Sequence, residues 1–375
     1  MLKVCLTGGP CGGKSTAMSI LTQVLSKRGY KVIVCPESPT ELILNGIFPG
    51  PDVSMLKFQY INLAKQLNKE ALYEDEISGC YDKDKLVILY DRGICDQIAY
   101  VGKEEFEKIL ASKGMTIQDA YSHYDGVFHL VTAAKGAEKY YQWNDPSKED
   151  TGNNAARSES PEEARKMDDD TLAAWIGHPH LRVFDNSTDF EGKMKKVVEE
   201  ILTMLGIPDS FEIERKFLIR MPSNEQLNAL GYTSKAEIIQ TYLVRENPEI
   251  ERRVRQRGTL RDGYTFYYTE KEKKGHAMRI EREKKISQEE YVELLSQADT
   301  ALHQIRKTRY CFVHNNQYFE MDIYPFSTEY AILEIELSKV DAEFDLPNVD
   351  IVKEVTDDDN FSNAALAKTG IFIIK

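Results

Sequence analysis

Side chains that can bind metal ions and phosphate recur at alternate positions in the second half of the chain. In the segment FEIERKFLI, residues 211–219, Glu212, Glu214 and Lys216 stand two residues apart. Successive residues of a strand point to opposite faces, so these three side chains are predicted to share one face. The same alternation is found in Arg253, Arg255 and Arg257, in Arg279, Glu281 and Glu283, in Lys307 and Arg309, in Glu320 and Asp322, and in Glu334 and Glu336, with Lys271 as a further basic member.

Such a density of charge restricts where these strand faces can lie. Unpaired buried charges are costly, so the faces cannot form a dry core. A solvent-exposed face explains any single segment, but the recurrence of acids and bases at matching offsets favours a water-filled lumen. Carboxylates there can hold divalent cations, and arginine and lysine can bind phosphate oxygens. The second half is therefore predicted to bind an anionic ligand together with metal ions.

The first half carries a phosphate-binding loop. Gly8–Ser15 matches the pattern G-x-x-x-x-G-K-[ST] directly after a predicted strand and directly before a predicted helix, which is the context this motif requires. Gly8 and Gly13 let the backbone curl around phosphates, where Lys14 would pair with the β- and γ-phosphates. Ser15, with Thr16 beside it, would ligate Mg²⁺. The motif predicts binding of ATP or GTP, and no NKxD-type motif decides between the two.

Three further residues of the first half are candidates for the same crevice. Asp91 ends the strand LVILYD and is predicted to hold Mg²⁺ or its water, although a turn-forming role is the alternative. Arg92 follows it. Glu37 ends an earlier strand at the place where small-molecule kinases of this class carry a base or a substrate-binding carboxylate, and a helix-capping acid is the alternative there.

The order of apolar segments predicts two domains. Short apolar strands alternate with helical stretches through the first half, a pattern typical of a parallel α/β sheet covered on both faces. Pro208-Asp209-Ser210 has the composition of a linker. We therefore predict a nucleotide-binding α/β domain over residues 1–207 and an antiparallel, charged domain over 211–375.

Composition excludes several classes of partner. The 375 residues carry a formal net charge of −13, which argues against nonspecific binding to nucleic acid. The six cysteines form no CxxC pair, as expected for reduced thiols. No apolar run reaches the ~18 residues of a membrane span, and the first residues do not resemble a signal peptide. These features predict a cytoplasmic protein without a transmembrane segment.

The charged segments resemble the CYTH, or triphosphate tunnel metalloenzyme, family. Glu212-x-Glu214-x-Lys216 stands at the family's opening signature, and the later charged pairs follow in the family's order. The resemblance implies a closed, eight-stranded antiparallel tunnel that binds triphosphate compounds with Mg²⁺ or Mn²⁺. It implies catalytic roles for Glu212, Glu214 and Lys216, metal binding by Glu212, Glu214, Glu281, Asp322, Glu334 and Glu336, and phosphate binding by Arg253, Arg255, Lys271, Arg279, Lys307 and Arg309.

The first half resembles the AAA-type P-loop domain related to the ribosylnicotinamide kinase part of NadR, through Gly8–Ser15, the DRG at 91–93 and the segments 124–141 and 175–179. The combination is similar to the TRPL-translocation-defect proteins, which are implicated in GTP binding. Three functions remain open. The chain is a metal-dependent triphosphatase with a nucleotide-bound P-loop domain, or a nucleoside-kinase-like phosphotransferase, or a GTP-binding regulator whose tunnel only binds phosphorylated ligands such as phosphoinositide head groups or pyrophosphate.

Overall fold

In a computed structural model, the chain divides into two compact units, Met1–Ile207 and Pro208–Lys375. The structure describes residues 1–141, 159–207, 213–245, 247, 250–273, 279–337 and 343–373, with the backbone alone for 213, 272–273 and 279–282.

The N-terminal unit is built on a five-stranded sheet. Its strands are β1 (Leu2–Thr7), β2 (Lys31–Cys35), β3 (Leu86–Asp91), β4 (Gly126–Leu130) and β5 (Leu181–Phe184). Their order is β2-β3-β1-β4-β5, and every pair is parallel. The central strands are apolar throughout because helices cover both faces of a parallel sheet. The predicted α/β class is therefore confirmed for this half.

Helices of the N-terminal unit pack on this sheet. They are α1 (Lys14–Lys27), α2 (Ser38–Leu44), α3 (Met55–Ala71), α4 (Ile98–Val101), α5 (Lys103–Ala111), α6 (Ile117–Tyr121), α7 (Pro161–Trp175) and α8 (Phe190–Met204), with a π-helical turn at Leu72–Ile77. On one face, Leu21 of α1 and Val197 of α8 join Leu6, Leu89 and Phe128 in a buried core. Among the described residues, no helix combines the length and the apolar character that crossing a membrane requires.

The C-terminal unit contains one antiparallel sheet of nine strands. They are β6 (Ile213–Arg220), β7 (Thr233–Tyr242), β8 (Ile250–Thr259), β9 (Gly263–Lys273), β10 (Arg279–Ile286), β11 (Ile305–His314), β12 (Gln317–Ile323), β13 (Tyr330–Leu337) and β14 (Ile351–Glu354), with helices α9 (Asn224–Ala229), α10 (Gln288–Leu295) and α11 (Asn363–Thr369). Their order is β10-β9-β8-β7-β11-β12-β13-β6-β14.

The prediction of a closed, eight-stranded tunnel is wrong in two respects. The sheet has a ninth strand, β14, and its hydrogen bonding does not close into a ring among the described residues. The physical reason lies at β6, which pairs with β13 on one edge and with β14 on the other. Along Phe217–Ile219 the second edge of β6 is therefore taken by β14, and β10, at the other end of the sheet, does not pair with β6 there to complete a ring.

The sheet is nevertheless strongly curved. Arg257 on β8 and Glu320 on β12 are three strands apart in the sheet, yet their Nη1 and Oε1 atoms lie 3.9 Å apart. Three strand spacings in a flat sheet amount to ~14 Å. Long side chains can cover much of that distance, but the charge of Lys271 on β9 also acts on Glu214 on β6, although five strands separate them. The face that these residues share is therefore concave. We call it the charged groove, defined by the described side chains of Glu214, Lys216, Arg253, Arg255, Arg257, Lys271, Glu283, Lys307, Arg309, Glu320, Asp322, Glu334 and Glu336.

At one end of the concave face, the side chains are apolar instead of charged. Leu218 lies two residues after Lys216 on β6, and Ile332 lies two residues before Glu334 on β13. Each therefore points to the same face as its charged neighbour. Both are buried in a cluster with Phe361 and Leu366 of the C-terminal segment. Because α11 supplies Leu366, this segment closes that end of the charged groove. The opposite face of β6, β12 and β13 is apolar and forms a separate core.

Candidate functional sites

The phosphate loop joins β1 to α1 and requires glycine at two close contacts. Gly8 has a φ of +129°, and a Cβ there would lie 2.2 Å from the carbonyl oxygen of Leu130; a Cβ on Gly12 would lie 2.4 Å from the same atom. Gly13 begins the helix with a φ of +95°. Ser15 and Thr16 are exposed in the first turn of α1. The backbone is thus shaped to present N–H groups to an anion.

Lys14 folds back over this loop. Its Nζ donates hydrogen bonds to the carbonyl oxygens of Gly8 at 3.0 Å and Gly9 at 3.1 Å. Burial, reinforced by the positive charge of Arg92, lowers the pKa of Lys14 to about 8. A bound phosphate would stabilise the charged ammonium form of Lys14.

The predicted carboxylates assemble beside the loop. The Oδ1 atom of Asp91 is buried and accepts no hydrogen bond from the described residues, and burial together with Glu37 raises the pKa of Asp91. Arg92 adopts a φ of +65°, and its Nε donates to Oε2 of Glu37 at 3.1 Å. Its Nη1 reaches Oδ2 of Asp96 at 3.4 Å. The structure therefore brings Glu37, Asp91 and Arg92 together at the carboxyl end of β3.

Asp168 on α7 is a contributor that sequence reasoning missed. Its Oδ1 accepts hydrogen bonds from the backbone N–H of Gly9 at 2.8 Å and of Thr132 at 3.0 Å, so it holds the phosphate loop against the end of β4. Burial opposes its charge, but His129 and Lys135 hold the pKa of Asp168 below its usual range. Its position in the polar run DDD gave no signal, because only the tertiary fold places one of three aspartates under the loop.

In the C-terminal unit, five predicted residues form one ion-pair network across four strands, β6, β11, β12 and β13. Arg309 on β11 contacts Asp322 through two bonds of 2.7 Å and Glu334 through one of 2.9 Å. Lys307 pairs with the same Asp322, and Lys216 Nζ lies 2.8 Å from Glu334 Oε1. Burial opposes its charge, yet Lys216, Lys307 and Arg309 hold the pKa of Glu334 below its usual range. The alternating charges of the sequence thus meet in one cluster.

Glu214 has a different environment at the open part of the groove. Its side chain is 44% exposed, and its Oε1 lies 3.6 Å from Lys216 Nζ. Surrounding residues of the groove partly desolvate the carboxylate. This desolvation and the negative charges of Glu334 and Glu336 raise the pKa of Glu214 to about 7. Lys271 opposes that rise, although five strands separate β9 from β6 in the sheet. The charge of Lys271 therefore acts across the groove on Glu214.

A second cluster lies on β8 to β10. Arg255 Nη2 donates to both oxygens of Glu283 at 2.8 and 2.7 Å, and the arginine lies over the ring of Tyr267. Arg257 is almost fully buried, with its Nη2 3.5 Å from Cys311 Sγ. Arg253, a predicted phosphate ligand, is half-buried on the same face. The bidentate pair fixes one guanidinium of the groove wall.

For three residues of the charged groove, the sequence analysis predicted the strand face but no binding or catalytic role. They are Arg257, Glu283 and Glu320, the last of which contacts Arg309. The alternation in the sequence already contained this signal. Three predicted residues cannot be placed in the same way, because Glu212 and the side chains of Arg279 and Glu281 lie outside the described part of the chain.

Both sites fit the divalent cation that the sequence led us to expect. At the phosphate loop, the Oδ1 of Asp91, which has no hydrogen-bond partner in the described part of the chain, is a carboxylate oxygen of the kind that binds Mg²⁺. In the charged groove, the carboxylates of Glu214, Asp322, Glu334 and Glu336 are hard oxygen donors suited to Mg²⁺ or Mn²⁺.

Comparison with known proteins identifies the family. A family model described as an AAA domain matches residues 3–193, which is more than half of the 375 residues. The chain therefore belongs to this AAA family, whose domain here is a P-loop nucleotide-binding domain. No match was found among curated proteins.

Solved structures resemble part of the chain. The inorganic triphosphatase NE1496 is 29% identical over 42% of this chain and 95% of that protein, with a TM-score of 0.31. The PH1012 protein from Pyrococcus horikoshii OT3 is 20% identical over 34% of this chain and 80% of that protein, with a TM-score of 0.26.

Proposed function

We propose that the charged groove of the C-terminal unit binds a triphosphate compound with Mg²⁺ or Mn²⁺ and hydrolyses it, while the phosphate loop of the N-terminal unit binds ATP or GTP. The observation that carries the proposal is the network of Lys216, Lys307 and Arg309 with Asp322 and Glu334 on one concave face. It contains both kinds of ligand that a metal–polyphosphate complex needs.

The network is arranged so that partners can be exchanged. Each cation of the network already pairs with a carboxylate, and Glu320, which also contacts Arg309, brings the count to three carboxylates for three cations. The charges therefore balance without a ligand. A triphosphate would take over the cations, and the carboxylates it displaces would then be free to hold divalent ions. This exchange explains why acids and bases must share the same strand faces.

The reaction transfers the terminal phosphoryl group to water. A bound divalent ion would supply charge neutralisation and a water of lowered pKa. Lys216, Lys307 and Arg309 would bind the phosphate oxygens and offset the charge that develops on the leaving diphosphate. Glu214, which is half-exposed and near neutral in pKa, would accept a proton from the attacking water as the new P–O bond forms and the bridging P–O bond breaks.

The test is release of inorganic phosphate by the full chain from triphosphate, ATP and GTP, with and without Mg²⁺. We expect metal-dependent release that Glu214→Gln lowers by about 10²–10⁴-fold, the range for loss of a proton-transferring group. Glu237→Gln, on an exposed position of β7, is the matched control. If triphosphate binds without being hydrolysed, the groove is a binding site only. If Lys14→Ala abolishes all phosphate release, hydrolysis takes place at the phosphate loop and not in the groove.

One observation favours a second function, phosphotransfer by the N-terminal unit. Asp91 carries a buried oxygen that no described residue hydrogen-bonds, and Glu37 is held by Arg92 at the edge of the same crevice. A carboxylate in that position can accept the proton of a substrate hydroxyl during phosphoryl transfer. Transfer of phosphate from ATP or GTP to an added nucleoside, abolished in Glu37→Gln, would support this function; its absence with a panel of nucleosides would leave the loop as a binding site.

A further inference from the structure

Two carboxylates and an imidazole of the N-terminal unit converge outside the phosphate loop. Glu70 lies near the end of α3, Glu74 lies in the π-helical turn that follows, and His123 lies in the turn between α6 and β4. One potential ligand atom of each lies within 4.8 Å of the others. Glu74 contacts Lys3 at the amino end of β1, whereas the phosphate loop follows the carboxyl end of that strand.

Glu70 has an oxygen that nothing in the described structure satisfies. Its side chain is only 2% exposed. Oε1 accepts hydrogen bonds from Tyr124 Oη at 2.8 Å and from Gln66 Nε2 at 2.9 Å, while Oε2 accepts none from the described residues and faces His123 Nδ1 at 3.5 Å. A buried carboxylate oxygen without a partner is costly. The unsatisfied Oε2 faces the imidazole of His123 inside the cluster.

Neighbouring hydroxyl groups orient both carboxylates. Tyr90 Oη donates to Glu74 Oε1 at 2.7 Å, and Lys3 Nζ lies 2.9 Å from Glu74 Oε2. The rings of Tyr90 and Tyr124 pack edge to face with their centres 5.2 Å apart, which holds the two hydroxyls in a fixed relation. Hydrogen bonds that hold ligand side chains in place are a regular feature of metal sites in proteins.

We propose that Glu70, Glu74 and His123 bind a divalent transition-metal ion of the Zn²⁺ type. Two carboxylate oxygens and one imidazole nitrogen match the ligands of such ions, whereas Mg²⁺ prefers oxygen alone. His123 is 29% exposed, which opens a path from solvent and a position for a water ligand. The ion would tie the junction of α3 and the π-helical turn to the turn that starts β4.

The test measures Zn²⁺ binding to the full chain with Mg²⁺ in excess, so that sites made only of oxygen ligands are occupied. We expect the wild-type protein to bind one more Zn²⁺ per chain than His123→Gln or Glu70→Gln. Glu76→Gln is the matched control, because it changes an exposed acid of the same π-helical turn. Tyr90→Phe, which removes a hydrogen bond to a ligand, should weaken Zn²⁺ binding by about 10–100-fold.

A spectroscopic readout separates a metal site from a simple ion pair. Co²⁺ bound in place of Zn²⁺ should give visible absorption bands that change in His123→Gln, with the fold of each variant checked by circular dichroism. Equal Zn²⁺ stoichiometry in the wild type and His123→Gln would overturn the proposal. So would a wild-type protein that binds no Zn²⁺ under these conditions, since the contact between Glu70 and His123 would then be structural only.

Discussion

Glu214 carries a carboxyl group that changes its protonation within the neutral range. Its pKa is raised to about 7, so the carboxyl is protonated below that pH and ionised above it. Metal binding and proton acceptance both need the ionised form. We therefore expect metal-dependent phosphate release to rise as the pH increases through about 7. A rate profile from pH 5.5 to 8.5 checks this, and the same rise in Glu214→Gln would contradict the assignment.

Lys14 provides a second titration, with the opposite sign. Its lowered pKa of about 8 means that the charged form is present below that pH and is lost above it. A bound nucleotide favours the ammonium form, so binding above pH 8 should take up a proton. Calorimetry in two buffers of different ionisation enthalpy measures this uptake. Lys14→Ala should abolish it together with most of the affinity, while Lys27→Ala, at the exposed end of α1, should leave both unchanged.

At the scale of elements, α11 determines the length of the charged groove. Leu366 on this helix is fully buried against Leu218 and Ile332, which share the face of Lys216 and Glu334. Removing its side chain should leave a cavity at the closed end of the groove. Burial of the apolar part of the concave face thus requires α11, a helix far along the chain from β6, in addition to the strands themselves.

The expected cost of that cavity is measurable. Leu366→Ala should lower the free energy of unfolding by about 2–5 kcal/mol, the range for truncating a buried leucine. Leu260→Ala makes the same chemical change at a side chain that is 91% exposed and should shift it by less than about 0.5 kcal/mol. Urea denaturation followed by circular dichroism compares the two. Equal small effects would mean that α11 does not pack as described.

On the scale of the whole molecule, the proposed function gives each unit a phosphate site of its own. Ligands that bind the folded state raise its stability by about 2.7 kcal/mol at a concentration of about 100 times Kd. We expect GTP or ATP to stabilise the chain through the phosphate loop and triphosphate with Mg²⁺ to stabilise it through the groove. In scanning calorimetry, Lys14→Ala should no longer be stabilised by GTP or ATP but should still be stabilised by triphosphate with Mg²⁺. Loss of both in this variant would contradict the assignment of separate sites.

Much of the local chemistry could be read from the sequence because it depends on short-range spacing. Gly8–Ser15 between a strand and a helix needs only its neighbours to be recognised. Likewise, the period of two in a strand places Lys307 and Arg309 on one face without any knowledge of the fold, and the structure shows both in contact with Asp322.

Contacts between distant segments could not be read in this way. Asp168 supports the phosphate loop from 159 residues away, and nothing in the run DDD distinguishes it from its neighbours. Closure of the sheet was wrongly predicted because it depends on which strand pairs with the second edge of β6. The short strand Ile351–Glu354 occupies that edge, and four residues carry too little periodicity to reveal it.

The sequence by itself therefore determined the phosphate loop, the parallel α/β class of the first half and the faces on which the charges of the second half lie. All of these follow from interactions between residues close in the chain. Only the tertiary structure decided the curvature that brings Arg257 to Glu320, the open edge at β14 and the meeting of Glu70, Glu74 and His123. These depend on side chains far apart in sequence, whose contacts form only when the whole sheet and its helices pack.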